Sequence, residues 1–301
     1  LSELTGTFEK PRFFFFFASI CAHGRSGYQA CNHCMEACPA AAIESIGEAI
    51  AVDPYLCQGG GICAAVCPSG AIRYSYPSAT DTLERIRTLL RVYRERGGSR
   101  PVLAFISEAD EAQGVIFAGN ELPVVVEELA SIGLEVWLSS LAYGATSVLL
   151  VNVGSVPAGV ALELTGQLAI AGEILAALGY PRDAVAMVDA GDLAGGEHGS
   201  VMPEMAPAAF SGVGGKRQTA FMAVDHLFQQ AQQPRPMVSL PAGAPFGTAE
   251  VDDSACTLCL ACVGACPGKA LQQGRGEPSL SFIEANCLQC GLCTRTCPEN
   301  A

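Results

Sequence analysis

The sequence predicts a three-part molecule of mixed class: α+β at both ends and α/β between them, with two small cysteine-rich modules flanking a parallel-sheet domain. Three observations carry this expectation. Near the C-terminus, eight cysteines form two copies of the spacing C-x2-C-x2-C-x3-C-P. Degenerate copies of the same spacing fill the N-terminal section. Between Cys67 and Cys256 there is no cysteine, and apolar runs alternate there in a strand–helix rhythm. The expected boundaries are 1–77 and 248–301 for the modules, 78–233 for the central domain, and 234–247 for a linker.

The complete copies are Cys256, Cys259, Cys262 and Cys266-Pro267, then Cys287, Cys290, Cys293 and Cys297-Pro298. Three thiolates at this spacing wrap three corners of one cubane, and the fourth, turned away by Cys-Pro, reaches the neighbouring one. This is the ligand pattern of a two-cluster ferredoxin. Cys256, Cys259, Cys262 and Cys297 are thus expected on one [4Fe–4S] cluster, and Cys266, Cys287, Cys290 and Cys293 on the other. Zinc is the competing assignment. It takes two separated pairs of ligands and is then closed, so a third equally spaced cysteine oversupplies it.

The N-terminal copies depart from the pattern in two places. Cys31, Cys34 and Cys38-Pro39 supply the last three positions of the first copy, but Tyr28 stands where the first ligand belongs. Cys21 precedes it, which reads as a loop inserted after the first ligand. In the second copy, Cys57, Cys63 and Cys67-Pro68 are present, and Gly60 stands at the second ligand position. Crossing then gives one cluster on Cys21, Cys31, Cys34 and Cys67. The other has only Cys38, Cys57 and Cys63. That three-cysteine site is expected to hold a [3Fe–4S] cluster, with an incompletely ligated [4Fe–4S] cluster as the alternative. Apolar residues either side of Gly47-Glu48 predict a hairpin linking the two loops. All four half-motifs continue as Cys-Pro-x-x-Ala, an internal repeat that implies a shared loop geometry. The last copy stops at Ala301, where a closing strand is expected, so the sequence reads as a fragment at that end.

In the middle, Ser78 and Asp81 form a capping signal before Leu83, Ile86, Leu90 and Tyr93, which predicts a helix over 78–96 ended by Gly97-Gly98. Its arginines read as a solvated face. Strands are expected at 102–106, 122–126, 147–151 and 184–188, and helices at 131–143 and 158–178. That alternation implies a parallel sheet with crossover helices, a flavodoxin-like α/β domain. The stretch 189–215 reads as loop, and four prolines mark 234–247 as a linker. Gly212-Val213-Gly214-Gly215-Lys216-Arg217 fails as a phosphate loop, because Phe210 and Arg217 occupy its glycine and hydroxyl positions. No G-x-G-x-x-G follows a strand. His198 and His226 are remote from the cysteines and read as surface or core histidines. Glu127-Glu128, at a strand end, reads equally as a pair at the carboxyl edge of the sheet, where open α/β folds bind ligands, and as a solvated or partner-facing pair.

A net charge of −13 argues against a nucleic-acid partner, which needs a basic face. No secretory signal is legible, and the phenylalanine run at 13–17 is far too short to span a bilayer. The apolar segment 156–178 is interrupted by Glu163, Gln167 and Glu173 and reads as a buried helix rather than a membrane span. Clustered thiols with these spacings imply a reducing cytoplasm.

The segment 122–188 resembles the delta-type iron–sulfur subunit of methanogen hydrogenases and heterodisulfide reductases, without that family's cysteines. From Phe8-Glu9-Lys10-Pro11-Arg12 through Cys21-Ala22-His23 and Lys216-Arg217 to 241–247, the chain is similar to bacterial ferredoxin-type proteins associated with formate dehydrogenases. This resemblance implies electron transfer beside a dehydrogenase, with redox proteins as partners and no activity of the chain alone. Two other readings stand beside it: an oxidoreductase with its own flavin or substrate site in the central domain, and an assembly platform for a partner enzyme.

Overall fold

The computed structural model describes residues 10–193 and 200–301; His198 and the Phe8-Glu9 pair lie outside them. Four parallel strands lie side by side in the order Val185–Asp189, Ser147–Asn152, Val102–Ser107, Glu121–Val126. The chain therefore steps outward from its first strand to its second, then crosses back to the opposite side for the third and fourth. Strand pleating sorts the side chains onto two faces. Leu103, Phe105, Val124, Val126, Val148 and Leu150 enter the larger core. Helices Ala79–Glu95, Leu134–Ala142, Ala158–Ala177 and Lys216–Gln230 contribute many of its other residues. Val102, Ala104, Ile106, Leu149 and Val151 face the other way and are covered by Leu193, Val115 and Phe117.

The helix Ala79–Glu95 starts as its sequence requires, with the Ser78 hydroxyl accepting from the Asp81 N–H. The helix expected over 131–143 begins instead at Leu134. Leu129–Ser131 forms a separate 3-10 turn, and Gly133 is extended. Crowding explains the shift: a Cβ on Gly61 would come within 2.5 Å of Ser131 Cα, so this backbone packs against the N-terminal module. The helix Lys216–Gln230 was not expected. A short helix, Ala190–Leu193, also lies within the stretch expected to be loop.

The helix Ala158–Ala177 is long and apolar enough to cross a membrane by length and composition. Val160, Leu164, Ile170, Ala171, Ile174 and Leu175 are nonetheless buried in the protein core. The expected linker has no regular structure but lies on the domain. Arg235 N–H donates to Ala177 O at 2.7 Å, Ala244 is buried, and Leu240 and Phe246 pack on the core.

In the N-terminal module, Phe14–Phe16 pairs antiparallel with Ile72–Tyr74, and Ile43–Ile46 pairs with Ala49–Val52 as the expected hairpin. Its helix Ile62–Val66 places Ile62, Ala65 and Val66 in the same core as Leu129 and Ile132. At the other end, Leu271–Gln273 pairs with Leu280–Phe282.

Two adjacent cations tie these parts together. Lys216 Nζ donates to Ala64 O at 2.6 Å and to Ala65 O, and lies 3.8 Å from buried Glu135. Arg217 turns the other way, to Ala285 O and Pro245 O, each at 2.6 Å, and to Glu284 O. Its guanidinium lies over the rings of Phe221 and Phe246. The sequence that fails as a phosphate loop is thus a clasp between the modules. The two modules also meet directly, where Arg295 donates to Gln29 O at 2.5 Å.

Candidate metal centres

Backbone conformation defines the cluster loops before any side chain is considered. In the two complete copies, the residues flanking the second cysteine have positive φ: Leu258 and Leu260 around Cys259, Gln289 and Gly291 around Cys290. Leucine and glutamine in that region are costly, so the loop shape is imposed by the structure around it. The N-terminal loop repeats it with Gly59 and Gly61 around Gly60. Each loop runs into a short helix carrying the third cysteine: Ala261–Ala265, Leu292–Thr296 and Ile62–Val66. Gly60 therefore stands where Cys259 and Cys290 stand.

The Cys-Pro-x-x-Ala repeat has a physical basis. The N–H of Ala270 donates to Cys266 Sγ at 3.2 Å, and those of Ala42 and Ala301 donate to Cys38 and Cys297 Sγ at 3.4 Å. Such bonds to sulfur stabilise thiolate charge and help to set the potential of a bound cluster. The fourth copy differs. Ser69 Oγ accepts the Ala71 N–H and lies 3.7 Å from Cys67 Sγ.

The thiols gather as follows. Burial pushes the Cys31 thiol up to about 12, and Cys67, Cys21 and Cys290 add to it. Burial also raises Cys21, next to Cys67, and Cys34, next to Cys67 and Cys31. Cys63 is pushed up to about 12 by burial, then by Cys38 and Cys57. In the C-terminal module, burial raises Cys262, with Cys259 and Cys256 beside it. Burial raises Cys290 and Cys293 as well, and Cys266 and Cys287 are neighbours of both. Metal binding to such thiols takes place with release of their protons. Cys297 lines the same cavity, of about 270 Å³, as Cys256, Cys262, Cys266, Cys287, Cys290 and Cys293. Among the described residues, no three or more His, Cys, Asp or Glu side chains are gathered as a single metal ion requires. In the N-terminal module Cys21, Cys31, Cys34 and Cys67 line one cavity, and Cys38, Cys57 and Cys63 line another.

His23 is buried and bridges Cys31 O and Ser45 Oγ, pinning the inserted loop to the hairpin. His226 bonds Ala206 O and lies apart from the thiols. Glu127 and Glu128 follow Val126 at the carboxyl edge of the sheet. The crevice between the first and third strands is bridged there, because Ser155 Oγ donates to buried Asp110 at 2.7 Å.

Cys297→Ser is expected to perturb the cluster of Cys256, Cys259 and Cys262 and largely spare that of Cys287, Cys290 and Cys293. Electron-spin spectra of the reduced chain, with iron analysis, check this. Damage to the second cluster instead would refute the crossed assignment.

Loops of this form, closed by N–H···S bonds, are those of ferredoxin-type iron–sulfur domains. Comparison with known families agrees at both ends: a 4Fe-4S dicluster domain matches residues 255–301, and a 4Fe-4S binding domain matches 50–73. Over 46 residues, 15% of its length, the chain is 44% identical to the ferredoxin-type protein NapF of Escherichia coli strain K12, and likewise to those of strains O6:H1 and O157:H7. The match spans 28% of the length of these relatives. No solved structure matches the chain.

Proposed function

We propose that the chain is an electron-transfer protein that passes single electrons along four iron–sulfur clusters, within or beside a dehydrogenase complex. Bound clusters supply the one-electron chemistry. The chain's residues hold them in one line. The observation that carries this reading is the junction between the modules, where Arg295, on the helix that carries Cys293, donates to Gln29 O, two residues before Cys31. At the next step Cys34 feels Cys63, so no break separates the two N-terminal sites. The resulting order is the Cys256 set, the Cys287 set, the Cys21 set, then the Cys38, Cys57 and Cys63 set. This order differs from that in the sequence.

Formate dehydrogenase is the partner favoured by resemblance, with the cytoplasm as the setting and no membrane span. The strand order, 2-1-3-4 counted from one edge, supports a flavodoxin-like central domain. That domain ends the line at the carboxyl edge of its sheet. The test is a stepwise reductive titration of the anaerobically purified full chain, followed by electron-spin resonance. Magnetic coupling should extend across all four sites, and Arg295→Ala should weaken the coupling between the modules. Four magnetically isolated clusters, or none, would overturn the reading.

A further inference from the structure

The last site in this line opens into a cavity that reaches the central domain. It measures about 320 Å³ and is lined by Cys38, Cys57, Cys63 and Gly60 on one side, and by Glu128, Ser155 and Val160 on the other. The C-terminal cavity is smaller, about 270 Å³, although it is lined by cysteines of both sets. No atom lies within 4 Å of where a Cβ on Gly60 would be, so the corner that a cysteine would fill is free. Tyr74 lines the same cavity. It is 5% exposed, and its hydroxyl has no hydrogen-bond partner among the described residues. A tyrosine hydroxyl carries its proton at neutral pH and is a donor there. A buried donor without an acceptor is unfavourable unless something else supplies one.

We propose that this cavity binds a small exogenous thiol, which occupies the corner left by Gly60 and serves as the fourth ligand of a [4Fe–4S] cluster held by Cys38, Cys57 and Cys63. The inference rests on the electron-transfer reading. A thiol is the chemical class that the site selects. It restores the fourth sulfur of the other sites, and its sulfur accepts from the Tyr74 hydroxyl. The apolar walls of Phe13, Leu129, Val156 and Val160 suit its carbon chain. Glu127 and Glu128 at the sheet edge disfavour small oxyanions. On binding, the S–H bond breaks, an iron–sulfur bond forms and the proton passes to solvent; no oxidation or reduction is involved.

The test uses the full chain loaded anaerobically with iron-57 and titrated with 2-mercaptoethanol. Mössbauer spectra should show one iron of one cluster shifting saturably. Tyr74→Phe should weaken this binding about tenfold, the loss of one hydrogen bond to a charged sulfur. Gly60→Cys should abolish the response while keeping the four irons. If Gly60→Cys assembles no cluster, Tyr74→Phe alone decides: unchanged affinity overturns the proposal. A wild-type site that holds three irons and ignores the thiol also overturns it, as does an equal response in Gly60→Cys. Failure of the electron-transfer reading looks different, because the chain would then hold no clusters or accept no electrons from a one-electron donor.

Discussion

Gly60→Cys should give a chain whose four clusters are all fully cysteine-ligated, with no [3Fe–4S] electron-spin signal as isolated. The three glycines of this loop are not equivalent. Gly59 and Gly61 have φ of 80° and 74°, which a side chain resists by about 1–2 kcal/mol. A Cβ on Gly59 would also lie 2.8 Å from the Phe13 ring, and one on Gly61 would lie 2.5 Å from Ser131 Cα. Gly60 has neither constraint. Its neighbours already hold the conformation that presents Cys259 and Cys290, so a thiol introduced there inherits ligand geometry. Iron and sulfide analysis, with electron-spin spectra before any treatment, checks the outcome. Gly61→Ala should instead lose this cluster altogether. A Gly60→Cys chain that shows a three-iron signal as isolated would show that the site is not built as described.

Lys216→Met should destabilise the protein by about 3–5 kcal/mol, the usual effect of removing one partner of a buried ion pair. Glu135 would be left buried without its cation, and Ala64 O and Ala65 O would lose a charged donor. Both side chains of the pair are largely shielded, 13% and 8% exposed, so water cannot take over the role of the lysine. Denaturant unfolding measures the loss. Adding Glu135→Gln should recover part of it, because the unpaired charge is then gone. Arg217→Ala should cost less in global stability but loosen the C-terminal module, seen as faster hydrogen exchange at residues 284–297. Equal losses from both substitutions, with no recovery, would contradict this division of labour.

The metal-binding pattern was legible in the sequence because thiolate spacing is set by the geometry of a cubane, and little else requires it. The sheet was legible for a similar reason. Strands such as Val102–Ser107 are buried throughout and read as unbroken apolar runs. The helix Lys216–Gln230 shows what was missed. Ala220, Ala223, Val224 and Leu227 recur at helical spacing, but two of the four are alanines and the glycines before them drew the reading towards a phosphate loop. The start of the helix at Leu134 was not legible, since it depends on the contact between Gly61 and Ser131 across the chain. Tyr74 and Ser69 were beyond reach for the same reason. One matters for lacking a partner, the other for intercepting an N–H that its three counterparts send to sulfur.

The contact of Arg295 with Gln29 joins residues 266 positions apart. During synthesis the first module emerges long before the segment it must meet. Closing so large a loop costs entropy that only completed structure at both ends can offset. The junction is therefore a late event in folding, and a truncated or half-metallated chain would retain folded parts without forming the passage between them. Under the proposed line of clusters, a chain without that contact would hold its sites as two separate pairs rather than one path.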